Sequence, residues 1–248
     1  TESLQEINLL DEFIVLAKKY PLLYLRGFKD NNLFNKLKTL EKTNSILKGR
    51  IKNWIRHNTI PLWVLNEFSR QINIYNYSLE NCRIGIYSGQ SELPLKINID
   101  KDLIRILGLF AAEGTANENN IVFSFGSHET DYIKEVISSI KSRFETTYNQ
   151  FEKETSAIQV QFNSKLLSII FKEIFKTGEN ALTKRIPEII YSVSPEMKKE
   201  FIFSYLQGDG SKVITEHEGF RPEVCISTNS ASEFLSDDFL ALYSQLGI

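Results

Sequence analysis

The sequence is poor in the features that mark several special classes of protein. Only two cysteines and one methionine occur in 248 residues, and no signal-peptide pattern opens the chain. Cys82 and Cys225 are therefore expected to be reduced and structural. No run of 18 apolar residues is present, so no membrane-spanning helix is expected. The formal net charge of −2 does not by itself indicate a protein that binds polyanions.

The composition that is present suits a folded protein with an uneven charge distribution. A hydrophobic fraction of 42% is enough for a substantial core, and the length suits one large or two modest domains. Between Lys29 and Asn58 there are eight basic residues and two acidic ones. This cluster predicts an electrostatic contact with a polyanion, although a solvated helical face would have the same composition.

Two apolar helical runs end in the same way. The first covers Asp100 to Gly114 and the second covers Ser194 to Gly210, and their last acids are Glu113 and Asp209. Both runs carry a pair of small residues four positions apart: Gly108 with Ala112, and Ser204 with Gly208. Small residues at this spacing share one helix face and allow another backbone to approach closely. If these faces pack together, the two carboxylates emerge side by side and form a site for a hard divalent cation.

The two runs resemble the motifs of the LAGLIDADG homing endonucleases, in the single-chain form with two repeats. Ile106 to Gly114 covers the first motif, and Ile202 to Gly210 covers the second. The resemblance extends over about Lys96 to Ile248. The departures leave the final acid of each motif in place: Ser204 for the first glycine, Glu113 for the usual aspartate, and Ala111 and Gln207 for an earlier acid.

The resemblance implies an α+β fold with a pseudo-twofold axis. Each repeat would run helix, two strands, helix, two strands, helix (αββαββα), with repeat one at about 96–190 and repeat two at about 191–248. By internal comparison the second repeat lacks its last strand pair and helix, so it is expected to be truncated. The endonuclease domain would then occupy 91–248, after a small, mainly helical domain and linker at 1–90.

The resemblance also implies which residues carry the chemistry. Glu113 and Asp209 would bind Mg²⁺ or another divalent cation and act in phosphodiester hydrolysis. Lys184, which precedes the second motif, could polarise the attacking water or stabilise the phosphate. Lys212, three residues after Asp209, is a second candidate for this role. An ordinary contact to the DNA backbone is the alternative for each lysine.

The N-terminal part of the sequence has a helical pattern of its own. Residues 1–28 are expected to be helical, with the helix ending at Tyr20-Pro21. A helix beginning at Leu33 is followed by a turn at 43–45 and a basic helix over Ile46–His57. This order is typical of a helix-turn-helix, whose second helix lies in the major groove. The residues expected to contact base edges are Lys48, Arg50, Lys52 and Asn53. A plain helical bundle is the alternative. Residues 73–99 are predicted to form a linker with one or two short strands.

These observations favour a site-specific endonuclease that cuts double-stranded DNA, with a metal-dependent mechanism and a long recognition site. We expect a monomer with internal pseudo-twofold symmetry, without a membrane partner, and cytoplasmic or nucleoid-associated. The family resemblance also suggests an origin within an intein, an intron or a free-standing gene. Two alternatives remain open: a regulator that binds DNA without cutting it, and an RNA-binding maturase on the same scaffold.

Overall fold

The computed structural model of the chain describes residues 4–28, 32–87, 91–152, 157–215, 223–228 and 230–248, with the backbone alone for 211–215 and 223–228. The chain divides into two compact units. The smaller unit is Asn8–Ile97, and the larger unit contains Asn98–Ile248 with the described residues of Thr1–Ile7. Our predicted boundary near residue 90 lies several residues before this division. No helix in the described ranges is both long and apolar enough to cross a membrane.

The first part of the chain alternates short helices and short strands. In chain order these are β1 (Glu6–Asn8), α1 (Leu9–Leu16), β2 (Leu23–Arg26), α2 (Asn32–Glu41), α3 (Ile51–His57), β3 (Thr59–Pro61), α4 (Leu62–Glu67), β4 (Arg83–Ile86), β5 (Glu92–Leu93) and β6 (Lys96–Asn98). Four of these strands form an antiparallel sheet in the order β3-β2-β4-β5, and β1 pairs with β6. This unit is therefore a mixture of helix and sheet, whereas the sequence pattern predicted a mainly helical domain.

Two predicted helices in this unit differ from the structure. Residues 1–28 were expected to be helical, but Leu23–Arg26 is a strand. It pairs on both sides, and a strand in that position carries a continuous apolar run that periodicity alone cannot distinguish from helix. The basic helix expected over Ile46–His57 begins only at Ile51. Gly49 adopts a φ of 75°, which interrupts the helix.

The larger unit contains longer helices than the smaller unit, and its elements after Asn98 follow in chain order. They are α5 (Lys101–Glu113), β7 (Gly114–Ala116), β8 (Ile121–Gly126), α6 (Thr130–Phe144), β9 (Tyr148–Glu152), β10 (Ala157–Phe162), α7 (Lys165–Ile169), α8 (Pro195–Asp209), β11 (Gly210–Thr215), β12 (Glu223–Thr228) and α9 (Glu233–Leu246). A π-helical segment, Ile170–Ile174, continues α7. The interpretation of this order as two copies of one repeat stays a prediction.

Two antiparallel sheets follow the two long helices. The first sheet has the order β7-β8-β10-β9, and the second is the β11-β12 hairpin. Side chains alternate between the faces of the first sheet: Phe123, Phe125, Val160 and Phe162 are buried. Phe110 of α5 contacts Phe123 with ring centroids 5.4 Å apart, so the inner face of this sheet packs on α5. The tip of the β11-β12 hairpin, where we predicted a turn at Glu218-Gly219, lies outside the described residues.

Candidate functional site

The site is built on the close contact between α5 and α8, which pack against each other more extensively than any other pair of helices in the described residues. Gly108 of α5 is one point of close approach. A Cβ atom on Gly108 would lie 2.6 Å from the carbonyl oxygen of Phe201 and 2.7 Å from the Cβ of Ser204. No larger residue fits there without moving a backbone. The small-residue pattern of the two sequences therefore corresponds to a real contact between the helices.

A second close approach lies further along the two helices, beside the acids. A Cβ atom on Gly208 would lie 2.6 Å from the Cβ of Ala112 and 3.3 Å from the Cγ of Glu113. Glu113 is the last residue of α5, and Asp209 is the last residue of α8. Both helices thus end at the same end of their shared contact, and their terminal carboxylates lie close together.

Glu113 has an unusual electrostatic environment for a carboxylate. Burial raises the pKa of Glu113 to about 7; the Lys184 ammonium opposes this, and the negative charges of Asp209 and Glu129 add to it. A carboxyl with this pKa is only partly ionised at neutral pH. A positive charge that approaches this carboxyl stabilises its ionised form.

Lys184 contributes a positive charge to the site. Its Nζ donates a hydrogen bond to the carbonyl oxygen of Ala112, the residue before Glu113. Burial lowers the pKa of Lys184, while the negative charges of Glu113 and Asp209 raise it. The ammonium therefore lies at the C-terminal end of α5, where a positive charge also interacts favourably with the helix dipole.

The segment that carries Lys184 is fixed by α9. The Lys184 carbonyl accepts a hydrogen bond from Ser232 Oγ at 2.8 Å. Arg185 makes a bidentate contact with Asp238 at 2.7 and 2.8 Å, and the backbone N–H of Ile186 donates to the same carboxylate at 3.0 Å. Asp238 is buried, and all three hydrogen bonds restrict the backbone next to Lys184.

A partly buried ion network holds the middle of the helix contact. Arg105 of α5 pairs with Glu135 of α6 and with Glu200 of α8, the latter at 2.7 Å. It also donates to Gln207 Oε1 at 3.2 Å, two residues before Asp209. Because the network joins three helices, it fixes the position of α5 along α8 as well as the distance between them.

The other predicted site residues lie elsewhere. Lys212 is on β11, immediately after α8, and its side chain is outside the described part of the chain. In the smaller unit, Lys52 and Asn53 are exposed in the first turn of α3. Lys48 and Arg50 are also exposed, but they precede α3 rather than lying on it. Arg50 lies over the ring of Trp63, 5.9 Å from its centroid.

Glu113 and Asp209 are the carboxylates of this site that could hold a metal ion. In the described residues, no group of three or more His, Cys, Asp and Glu side chains is placed to hold a metal ion. Glu113 and Asp209 alone would leave most coordination positions to water and to the substrate. This arrangement fits Mg²⁺, which keeps several waters and is often bound by one or two carboxylates together with phosphate oxygens.

Comparison with known proteins identifies relatives that are named as a polymerase subunit, a transcription initiation factor and an uncharacterized protein. No protein-family model matches the chain. The DNA polymerase II large subunit of Thermococcus kodakarensis is 26% identical over 64% of this chain, which is 9% of that protein. An uncharacterized protein of Methanocaldococcus jannaschii is 29% identical over 69% of this chain and 20% of its own length. The transcription initiation factor IIB of the same organism is 32% identical over 49% of this chain and 17% of its own length.

These relatives correct the family resemblance drawn from the two motifs. They are named as a polymerase subunit, a transcription factor and an uncharacterized protein, and none of the three is named as a LAGLIDADG homing endonuclease. The identification with that family was therefore wrong on this finding. The motif helices, their contact and the acids at their ends are properties of the chain itself and do not depend on the family name.

The structure also adds residues that the sequence pattern did not single out. Tyr205 contacts Asp209, Glu129 adds negative charge near Glu113, and Asp238 holds the segment that follows Lys184. Tyr205 precedes Asp209 by four positions, a spacing that brings side chains together on a helix, so a signal for it was present. Asp238 and Glu129 come from other elements, and the sequence carried no signal for them.

Proposed function

We propose that this chain is a metal-dependent endonuclease that cuts double-stranded DNA at a specific site. The observation that carries the proposal is the packing of α5 on α8 at Gly108 and Gly208, which brings Glu113 and Asp209 together beside Lys184. Two carboxylates and one lysine at a partly buried site are a suitable set for phosphodiester hydrolysis.

Each residue has a distinct part in this chemistry. A bound divalent cation would supply Lewis acidity and a water of lowered pKa. Glu113 and Asp209 would offer the anionic oxygens that hold it. Lys184 bears a charge that offsets the two carboxylates, and its lowered pKa suits it to transfer a proton or to stabilise the negative charge on the reacting phosphate.

DNA is the proposed substrate because of the relatives and of a polar surface on the larger unit. The relatives include proteins named as a DNA polymerase II large subunit and a replication factor C small subunit. The outer face of the first sheet carries the partly exposed Ser124, Gln159 and Gln161, together with the apolar Val122 and Phe151. Gln159 Nε2 donates to Ser124 Oγ at 3.2 Å across the strands. Uncharged amides on a sheet surface are suited to the hydrogen-bonding edges of bases in the major groove.

The position of this sheet connects it to the acids. β7 begins at Gly114, the residue that follows Glu113, and β7 pairs with β8 through Gly114 and Phe123. The polar face therefore belongs to a sheet that starts directly at the proposed catalytic residue. We infer that a duplex bound on this sheet runs past the end of α5, where the carboxylates lie.

The matched segment is a small part of each relative, which supports an activity of its own that differs from the activities in the relatives' names. The matched segments are 8–20% of the relatives' own lengths. The matches to the polymerase subunit and to the uncharacterized protein cover 64% and 69% of this chain, so they overlap. What is shared is thus a small part of each long protein, and we propose an activity for that part rather than polymerase or transcription-factor activity.

The test separates binding from cleavage. Duplexes that bind the purified chain are first selected from a randomised DNA library without divalent cation, and the selected duplexes are then incubated with Mg²⁺ or with EDTA. We expect cleavage of both strands only with Mg²⁺. Asp209→Asn and Glu113→Gln should each lower the cleavage rate by about 100-fold or more, because the divalent cation that would stabilise the reacting phosphate loses one of its anionic ligands. DNA affinity should hold or rise.

Glu196→Gln is the matched control, because Glu196 is an exposed acid in the first turn of the same helix, α8. It should cleave at the parental rate. Selected duplexes that bind but are not cut would instead support a DNA-binding regulator. Tighter binding of structured intron RNA than of any selected duplex would support the maturase alternative.

A further inference from the structure

Tyr205 is a buried tyrosine whose hydroxyl group contacts one of the proposed metal-binding carboxylates. It lies on α8, one turn before Asp209, and only 1% of its surface is exposed. The hydroxyl donates a hydrogen bond to Asp209 Oδ2 at 3.1 Å. Asp209 itself is exposed. The contact therefore links a rigid, buried ring to a carboxylate that would otherwise rotate in solvent.

The ring of Tyr205 is held from the side by α9. Its centroid lies 4.5 Å from that of Phe239, and Phe239 in turn contacts Phe201 of α8. Rings at this separation restrict each other's orientation. The direction in which the hydroxyl points is thus set by aromatic packing between α8 and α9.

The corresponding position in α5 has no hydroxyl group that could donate to Glu113. Leu109 precedes Glu113 by four residues, as Tyr205 precedes Asp209. Leu109 is fully buried and has no polar group to donate. Of the two carboxylates, only Asp209 is oriented by a tyrosine on its own helix.

We propose that Tyr205 is a positioning residue for a divalent cation: it holds Asp209 through Oδ2 and leaves Oδ1 as the oxygen available to the metal ion. The inference rests on the proposed function, because it assumes that Asp209 binds a cation. Hydrogen-bond partners of this kind orient a metal-binding carboxylate and typically change metal affinity by about 10–100-fold when they are removed.

The variant Tyr205→Phe tests the inference, because it removes only the hydroxyl oxygen. Isothermal titration of the protein with Mg²⁺ should show a dissociation constant about tenfold higher than that of the parent. Tyr243→Phe is the matched control. Tyr243 belongs to the same aromatic cluster, with its ring centroid 6.0 Å from that of Phe239, and its hydroxyl should not affect the Mg²⁺ affinity.

A double-mutant cycle excludes an effect on packing alone. If Tyr205 acts through Asp209, Tyr205→Phe should change the residual Mg²⁺ affinity of Asp209→Asn by less than about twofold, since coupled residues are non-additive. The same full tenfold loss in the Asp209→Asn background would overturn the inference. An Mg²⁺ affinity for Tyr205→Phe within twofold of the parental value would also overturn it, while leaving the endonuclease proposal standing. A parent protein that binds no Mg²⁺ in this titration would overturn the inference, and the cleavage assay with Mg²⁺ or EDTA decides the endonuclease proposal separately.

Discussion

Glu113→Gln should make the larger unit more stable at neutral pH, although it removes a proposed catalytic group. Burial raises the pKa of Glu113 from 4.5 to about 7, because the opposing effect of the Lys184 charge is smaller than that of burial and the negative charges of Asp209 and Glu129 add to the increase. Between these two pH values the folded state binds more protons at this site than the unfolded state does. The contribution of Glu113 to the free energy of unfolding therefore falls as the pH rises from about 4.5 to about 7, and it is lowest above that range.

The size of the effect follows from the same pKa change. At about 1.36 kcal/mol for each pKa unit, a fully buried carboxyl would lose ~3.4 kcal/mol across the range. Glu113 is only partly buried, so solvent screening reduces the expected loss to ~1–2 kcal/mol. The neutral amide of Glu113→Gln does not titrate. The variant should thus match the parent near pH 4.5 and exceed it by ~1–2 kcal/mol at pH 8.

Urea unfolding followed by far-ultraviolet circular dichroism at several pH values measures this difference. Tryptophan fluorescence is an unsuitable probe of the effect, because both tryptophans, Trp54 and Trp63, belong to the smaller unit. Glu118→Gln is the control, since Glu118 is an exposed acid in the same unit. The reasoning would be refuted if the stability difference between Glu113→Gln and the parent were the same at pH 4.5 and at pH 8.

Two further predictions concern the DNA-binding surface and the helix contact. Replacing Lys48, Arg50 and Lys52 with alanine should weaken DNA binding. It should also reduce the slope of log affinity against log salt by about 0.9 for each phosphate group that the protein no longer neutralises. If filter binding shows an unchanged slope, the three residues are solvated and do not contact DNA. Gly108→Ala should destabilise the larger unit by ~1–3 kcal/mol, because its Cβ would overlap the backbone of α8. That destabilisation should outweigh the helix-propensity gain of about 1 kcal/mol, and a more stable variant in urea unfolding would contradict the close approach of the two helices.

The central helix contact could be predicted because its determinants are local in sequence. Gly108 and Gly208 lie on apolar helical runs, and each run ends in an acid followed by glycine. A helix period and a small residue are enough to identify which face permits close approach. The identity of the partner helix followed only because a second run in the chain carried the same pattern. Whether the acids bind a metal remains a prediction.

Other parts of the fold depend on contacts between distant residues, and the sequence could not supply them. The strand Leu23–Arg26 is fixed by pairing with β3 and with β4, which lie far along the chain. The contact of Arg185 with Asp238 joins residues more than fifty positions apart. The interruption at Gly49 is different in kind, because a glycine within a predicted helix is visible in the sequence. The helix pattern does not show that this glycine adopts a positive φ and ends the helical path.

The close packing of α5 on α8 has two consequences that oppose each other. It brings Glu113 beside the end of α8, where two carboxylates can share one cation, and it removes Glu113 from water, which disfavours its charge. Lys184 offsets only part of this cost, because the pKa of Glu113 remains near 7. An additional positive charge would therefore stabilise the folded state as well as enable the proposed chemistry. Mg²⁺ should therefore raise the melting temperature of the parent at pH 7, because a ligand that binds the folded state stabilises it according to its affinity. It should raise the melting temperature of Glu113→Gln less, because this variant has one carboxylate fewer to bind the cation. Equal shifts in a thermal unfolding experiment would show that Mg²⁺ binds elsewhere.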